Sequence, residues 1–380
     1  MKNKPERVLV VFNGGCVPGG VRNFVINLYR NLDRTKIQFN FLVFTKDKDF
    51  YYKELEDLGG RVILITDDAV SRVSLFGNTK LAYLVYKAIK KNGPYKAIHC
   101  NSTSDVGNEG LYLLAAKLAG VKVRICHSHF GINKQWNIKA RLFKKFMNLL
   151  INSFSTHKIG CSKLACKALY GNNCFTDIKV ASIYNGIDLS IFNKNSYNEN
   201  KMNEKYKIDN LKINFINIGR FDEQKNQLYL LEVFRSLLDI RNDVHLNIVG
   251  YGHLKSKILD KIRELNLERN VTLFKEDSNI PELLSTMDYF LLPSVWEGFP
   301  IVLVEAQAME LPCFVSDTVT DEIDFGLCNF IPIDRNPKIW AEKITYEINT
   351  DKNYRKIDKE RFKVCDSKYM AKSFTKIYLG

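Results

Sequence analysis

The hydrophobic positions of the chain gather into short continuous runs. Val8–Phe12, Phe39–Phe44, Val62–Ile65, Ala97–His99, Val121–Cys126, Lys158–Cys161 and Val180–Ile183 are such runs in the first half. Ile213–Ile218, His245–Val249, Val271–Phe274 and Tyr289–Leu292 repeat the pattern in the second. A strand that is apolar at nearly every position has both faces covered, which predicts parallel sheets flanked by helices. Between the runs, apolar residues recur at helical spacing: Val21, Val25, Leu28 and Leu32, then Leu81–Lys91, Gly110–Ala119, and later Leu228, Leu231, Phe234 and Leu238. Alternation of strand and helix predicts a doubly wound α/β architecture. The stretch 189–212 breaks the pattern with Asn193, Asn195, Asn198, Asn200, Asn203 and Asn210, the composition of an exposed connection. Two Rossmann-like domains are therefore expected, 1–188 and 213–355, joined by that linker.

Length agrees, since 380 residues suit two or three domains of ~150 residues each. The charged start Met1–Arg7 and the brevity of Val8–Phe12 predict neither a signal peptide nor a membrane span, and so a cytosolic protein. Nine cysteines, an odd number with no Cys-x-x-Cys pair, lie mostly in apolar stretches and argue for buried thiols rather than disulfides or a zinc site.

Charge changes the picture more. The net charge is +14, but residues 1–190 hold 29 Lys and Arg against 13 Asp and Glu, whereas residues 191–380 hold 27 against 29. No acidic residue occurs between Glu109 and Asp177. An anionic partner for the first half follows. Trp136–Phe154 reads as a basic amphipathic helix with Phe143, Phe146, Met147, Leu150 and Phe154 on one face and Arg141, Lys144, Lys145, Asn148 and Asn152 on another. It is expected to pack on the core with a solvated basic face, the sharper reading being contact with anionic lipid headgroups. Nucleic acid is the competing polyanion, but no recognition module for it is present, so none is expected.

Four segments carry candidate chemistry. Pro18-Gly19-Gly20-Val21-Arg22 turns from a strand into a helix, where glycine lets backbone approach an anion. His127-Ser128-His129 ends a strand at the edge where open α/β sheets bind ligands. The two imidazoles are expected on opposite faces, which disfavours joint metal ligation. Gly219-Arg220-Phe221-Asp222-Glu223-Gln224-Lys225-Asn226 places an Arg and a Lys on one strand-to-helix loop, a pair suited to gripping phosphate. Leu291–Pro312 ends a strand, turns through Gly298 and starts a helix at Pro300, with Glu297 before the turn and Glu305 on the helix. Carboxylates beside a helix N-terminus suit sugar hydroxyls next to a phosphate.

Two glutamates eight positions apart around Gly298-Phe299-Pro300 resemble the signature of retaining, nucleotide-sugar-dependent glycosyltransferases of the group 1, family 4 type with the two-domain GT-B fold. That resemblance implies a cleft between an acceptor domain and a donor domain, with a final helix, about 360–380, returning to the first. It implies that Glu297 contacts the donor sugar, Glu305 the ribose, and Arg220 and Lys225 the diphosphate. Gly19, Gly20, Gly298, Phe299, Pro300 and Ile301 would line the donor's phosphates. Ser278 and Asn279 would meet the base, and His127, with His129 the weaker candidate, would lie at the reacting centre. It further implies a nucleotide sugar, UDP-linked by preference, as co-substrate, with the Arg220 and Lys225 pair replacing a metal ion and no other cofactor. The expected acceptor is a saccharide or a lipid-diphosphate-linked saccharide, in polysaccharide or capsule assembly at the inner face of the membrane. A nucleotide-sugar epimerase, an inverting transferase, or a non-catalytic polyanion-binding protein with a degenerate nucleotide site are the alternatives.

Overall fold

The computed structural model describes residues 4–12, 20–44, 52–65, 75–103, 108–131, 137–333, 336–350 and 356–380. The chain forms two units, one of residues 1–186 and 364–380, the other of residues 187–363.

The first unit runs β1 (Glu6–Phe12), α1 (Gly20–Asn31), β2 (Ile37–Val43), α2 (Tyr52–Asp57), β3 (Arg61–Leu64), α3 (Leu75–Asn92), β4 (Ala97–Ser102), α4 (Glu109–Leu118), β5 (Val123–Ser128), α5 (Ile138–Phe154), β6 (His157–Gly160), α6 (Lys163–Tyr170) and β7 (Val180–Ser182). Its described strands are all parallel, in the order β3-β2-β1-β4-β5-β6-β7. Side chains alternate across a strand, so β1 feeds two cores. Val8, Val10 and Phe12 join Phe24, Phe39 and Phe41 on one face, while Leu9 and Val11 join Leu81, Val85 and Tyr112 on the other. This double coverage is why the run is apolar without interruption.

The second unit runs α7 (Glu199–Tyr206), β8 (Ile213–Ile218), α8 (Gln227–Leu238), β9 (Val244–Val249), α9 (Lys255–Glu264), β10 (Val271–Phe274), α10 (Ile280–Leu284), β11 (Tyr289–Leu292), α11 (Ile301–Ala308), β12 (Cys313–Ser316), β13 (Cys328–Ile331), α12 (Pro337–Asn349) and α13 (Lys359–Phe362). Its sheet is parallel in the order β10-β9-β8-β11-β12-β13. Loops leaving the carboxyl ends of β8 and β11, at the centre of the sheet, carry Arg220, Lys225 and Glu297.

The last helix, α14 (Ser367–Leu379), belongs to the first unit, where Met370, Ala371, Phe374 and Tyr378 are buried in the same core as α1. Its start lies against Gly186. A Cβ at Gly186 would come within 2.5 Å of Ser367 Cα, the Gly186 amide meets Met370 Sδ at 3.2 Å, and Asn27 Nδ2 donates to Gly186 O at 3.3 Å.

Residues 189–212 are largely exposed, as expected, but they are more than a connection and belong to the second unit. They contain α7, capped by the Asn198 side chain, and Lys205 and Tyr206 both bond Glu282 of α10. The asparagines that made the stretch look unstructured are here helix caps, Asn193 and Asn198, a position that residue favours. The eight described cysteines are buried free thiols.

Candidate active site

The turn after β8 is fixed by the turn after β9. Phe221 N donates to Tyr251 O at 2.6 Å, and Gly252, at φ +150°, leaves no room for a side chain because a Cβ there would lie 2.4 Å from Phe221 O. That packing sets the path of residues 219–226 and brings Lys225 to Glu297. Lys225 Nζ meets Glu297 Oε1 at 2.6 Å, Ser294 Oγ donates to the same oxygen at 2.7 Å, and Gln224 Nε2 donates to Oε2 at 3.2 Å and to Trp296 O at 2.9 Å. Glu297 is buried and Lys225 is partly buried. A carboxylate has about four lone-pair positions, so these three donors leave room for roughly one more on Oε2. Lys225 likewise spends one of its three ammonium donors on Glu297 and keeps two. Arg220 is tethered at 3.2 Å to Asp222 and at 3.4 Å to Gln224 Oε1, yet 54% of its side chain is exposed, which leaves most of its donor fork to a ligand.

Gly298, Phe299, Pro300 and Ile301 lead directly from this cluster into α11. Pro300 occupies the N-cap and supplies no side-chain cap, the arrangement in which first-turn amides can serve an anion. Glu305 lies a turn further along, half-buried, with no ion pair or side-chain hydrogen bond among the described residues. Burial alone pushes its carboxyl up to about 7. An acid held at the edge of ionisation, with empty acceptor positions, is built to gain from a hydroxyl donor.

Ser278 and Asn279 are not tied to this cluster. Asn279 caps α10 through Glu282 N, and Ser278 N closes a turn on Lys275 O. Gly19 lies outside the described residues, as does Asp47-Lys48-Asp49, an Asp-x-Asp sequence in the first half of the chain. Gly20 opens α1, and a Cβ there would meet nothing within 4 Å.

The first unit holds a histidine cluster at the same edge of its own sheet. His127 lies inside β5, not beyond its end, and is fully enclosed. The expectation of opposite faces is wrong: residues two apart on a strand share a face, and the His127 and His129 ring centroids are 4.0 Å apart. Phe24 of α1 packs edge-on to His127 at 4.8 Å and Phe374 of α14 lies 5.5 Å away. Burial lowers all three imidazoles, His99 and His129 to about 3 and His127 well below its ordinary value, so each is neutral at pH 7.

Neutral imidazoles have one donor and one acceptor, which orders the network. Tyr378 OH meets His99 Nδ1 at 2.6 Å, and His99 Nε2 meets His127 Nδ1 at 3.1 Å. Burial raises the Tyr378 phenol well above its usual range, so it keeps its proton. If Tyr378 donates, then His99 donates in turn and His127 carries its proton on Nε2, the one group left unpaired. Running the relay the other way strands the Tyr378 hydrogen as well, at a cost of about 1–3 kcal/mol for a buried unpaired group. The first direction wins. His129, one residue beyond β5 and half-buried, bonds Asn101 Oδ1 through Nε2 at 3.0 Å and leaves Nδ1 unpaired. It is thus His129, not His127, that emerges at the sheet edge. Tyr378, His99 and Asn101 had no signal in the sequence, since they join from strands and a helix far apart along the chain.

Comparison with known proteins bears on what these two sites are for. The chain is 35% identical over 368 residues to a Bacillus subtilis (strain 168) protein named as glycosyltransferase EpsF, an alignment that covers 95% of this chain and 92% of that one. Residues 198–363 match the family described as glycosyl transferases group 1, and residues 18–191 match glycosyltransferase family 4. The chain belongs to the group 1, family 4 glycosyltransferases. A further relative, an Escherichia coli UDP-Gal:alpha-D-GlcNAc-diphosphoundecaprenol alpha-1,3-galactosyltransferase, is 32% identical over 253 residues, 64% of this glycosyltransferase and 63% of the relative. The fold matches Anabaena Alr3699/HepE, solved in complex with UDP, at a TM-score of 0.76 and 15% identity over 98% of each chain. Two Rossmann-like units of this kind are the GT-B fold.

Proposed function

We propose that this glycosyltransferase moves a sugar, with retention of anomeric configuration and without a metal ion, from a nucleotide-diphosphate sugar, UDP-linked by preference, to a saccharide or lipid-linked saccharide in polysaccharide assembly. The observation that carries the proposal is the joined group of Lys225, Glu297, Ser294 and Gln224 at the mouth of α11, with an unpaired Glu305 a turn behind it. Each remaining valence has a use. Arg220 and the two spare donors of Lys225 take the diphosphate together with the first-turn amides of α11, replacing a divalent cation; charge-assisted contacts preorganised in this way stabilise the departing phosphate. The open position on Glu297 Oε2 takes one donor-sugar hydroxyl, and Glu305 takes the ribose hydroxyls.

Glu297 is already committed to three donors, which makes it a poor nucleophile. Attack by the acceptor on the same face as the leaving phosphate, with that phosphate receiving the acceptor's proton, is the route that needs no carboxylate nucleophile. On the first unit, His129 takes the place at the reacting centre first given to His127, and His127 backs it. The E. coli relative is named for a diphosphoundecaprenol-linked acceptor, which supports an acceptor of that class here.

The test is thermal stability against a panel of nucleoside diphosphates and their sugars, with Glu305→Ala beside the wild type. A ligand at ~100 times its dissociation constant adds about 2.7 kcal/mol. A shift from one nucleotide sugar that the variant loses supports the donor site; equal shifts in both proteins, or none from any nucleotide, overturn it.

A further inference from the structure

The donors around Glu297 are divided unevenly between its two oxygens. Oε1 meets Lys225 Nζ at 2.6 Å and Ser294 Oγ at 2.7 Å, which fills both of its acceptor positions. Oε2 meets Gln224 Nε2 at 3.2 Å and keeps one position. Gln224 therefore decides how many hydroxyls this carboxylate can still accept. The orientation of its amide follows from its neighbours. Trp296 O and Glu297 Oε2 are both acceptors without a proton, so the NH2 group faces them, at 2.9 and 3.2 Å, and gives one hydrogen to each. The amide oxygen is left toward Arg220 Nη2, at 3.4 Å. A reversed amide would set an oxygen against two acceptors and a donor against the guanidinium. The two loops also meet through bonds that do not use this amide: Val295 N donates to Gln224 O at 2.8 Å, and Asn226 Nδ2 donates to Pro293 O at 3.3 Å. What the amide adds to that frame is its grip on Trp296 O and on the carboxylate.

We propose that Gln224 sets the enzyme's sugar selectivity: by occupying one acceptor position of Glu297 Oε2, it restricts the carboxylate to a single donor-sugar hydroxyl and so to donors that present that hydroxyl in one orientation. This rests on the donor site proposed above and adds the residue that limits what the site accepts. A carboxylate oxygen with two open positions takes a hydroxyl arriving from either side. With one position left, it pairs the hydroxyl of one epimer and leaves the other epimer, and itself, unpaired, and a site with buried polar groups rejects a ligand most strongly in that way. Gln224 reaches no sugar itself. It is a positioning residue that acts through Glu297, and because its amide oxygen lies toward Arg220, one side chain stands between the group assigned to the diphosphate and the group assigned to the sugar.

The experiment is titration calorimetry of the full chain with UDP and with two epimeric pairs of donors, UDP-glucose beside UDP-galactose and UDP-N-acetylglucosamine beside UDP-N-acetylgalactosamine. Two variants accompany the wild type. Gln224→Met keeps the length of the side chain without its amide, and Gln224→Glu keeps its shape but offers Glu297 a second carboxylate in place of a hydrogen. Melting curves check the fold of each. The wild type is expected to favour one member of a pair. Gln224→Met is expected to bind UDP nearly as the wild type does, because the groups assigned to the diphosphate remain, while the ratio of affinities within that pair falls roughly tenfold or more. Gln224→Glu, with like charges side by side, is expected to keep UDP and to lose whatever affinity the sugar adds to it. An affinity ratio that Gln224→Met leaves unchanged overturns the proposal. So does a folded Gln224→Met protein that loses UDP as fully as the UDP-sugars, since the amide would then serve the loop and not the sugar, and so does a wild type that binds both members of each pair alike. A wild type that binds neither UDP nor any UDP-sugar overturns the donor reading itself, a result distinct from a wild type that discriminates and a variant that discriminates equally well.

Discussion

Glu305→Gln should make the protein more stable above neutrality and at the same time weaken its hold on nucleotide. The carboxyl of Glu305 is held at about 7 instead of its ordinary 4.5, solely by burial without a partner. A carboxyl raised in the folded state binds its proton more tightly there than in the unfolded chain, so its contribution favours folding below the unfolded value and turns unfavourable as pH rises. Between pH 5 and pH 8 the ionisation of this one group costs the fold about 2–3 kcal/mol. Glutamine has the same shape and no charge to desolvate. The melting temperature of the variant relative to wild type is therefore expected to climb by several degrees between pH 5 and pH 8, at about 2–4 °C per kcal/mol for a unit of this size. A ribose hydroxyl is best accepted by the ionised form, so wild-type affinity for a nucleoside diphosphate should rise up to about tenfold from pH 6 to pH 8, and the variant's should be lower and flat. Scanning calorimetry across pH, with and without ligand, reads both effects. A difference between variant and wild type that does not change with pH, or full nucleotide binding by the variant, would refute the reasoning.

Other perturbations have equally definite outcomes. Lys225→Met leaves a buried Glu297 without its cation, a loss of about 3–5 kcal/mol, and it should lower both the melting temperature and transfer activity, whereas Arg220→Met, at an exposed side chain, should lower transfer with little change in stability. Tyr378→Phe removes the hydrogen that orders the imidazole relay; about 1–3 kcal/mol of stability should be lost, and 15N NMR of the histidine rings should show His127 no longer confined to its Nε2–H tautomer. Gly186→Ala pushes a methyl into the backbone at Ser367, so the melting temperature should fall by an amount corresponding to about 1–3 kcal/mol. His129→Ala should reduce transfer with the melting temperature nearly kept, while His127→Ala, which empties an enclosed site, should lose stability first.

The sheets were legible because parallel strands covered on both faces are rich in apolar residues, as β1, β2, β8 and β9 are. β12 and β13, Cys313–Ser316 and Cys328–Ile331, escaped because each carries a polar residue in only four, Ser316 and Asn329, and so forms no continuous apolar run. α7 escaped because asparagine was read as loop where it serves as cap. The Arg220, Lys225, Glu297 and Glu305 positions were visible from order and spacing along the chain. What spacing does not contain is partnership: that Ser294 and Gln224 complete the shell of Glu297, that Glu305 has no partner, or that Tyr378 reaches His99 across 279 positions. The exposure of Ile138, Leu142, Phe146 and Leu149 on α5 was hidden for a related reason. Periodicity shows where apolar residues fall on a helix, but only the packing of its neighbours decides which of them are covered.

A crystal structure of the protein with UDP tests the central reading most directly. The account predicts the ribose hydroxyls on the Glu305 carboxylate, the diphosphate oxygens against Arg220 and Lys225 with the first-turn amides of α11, and no metal ion between them. A nucleotide bound elsewhere, or a diphosphate held through a divalent cation with Arg220 and Lys225 turned away, would contradict it.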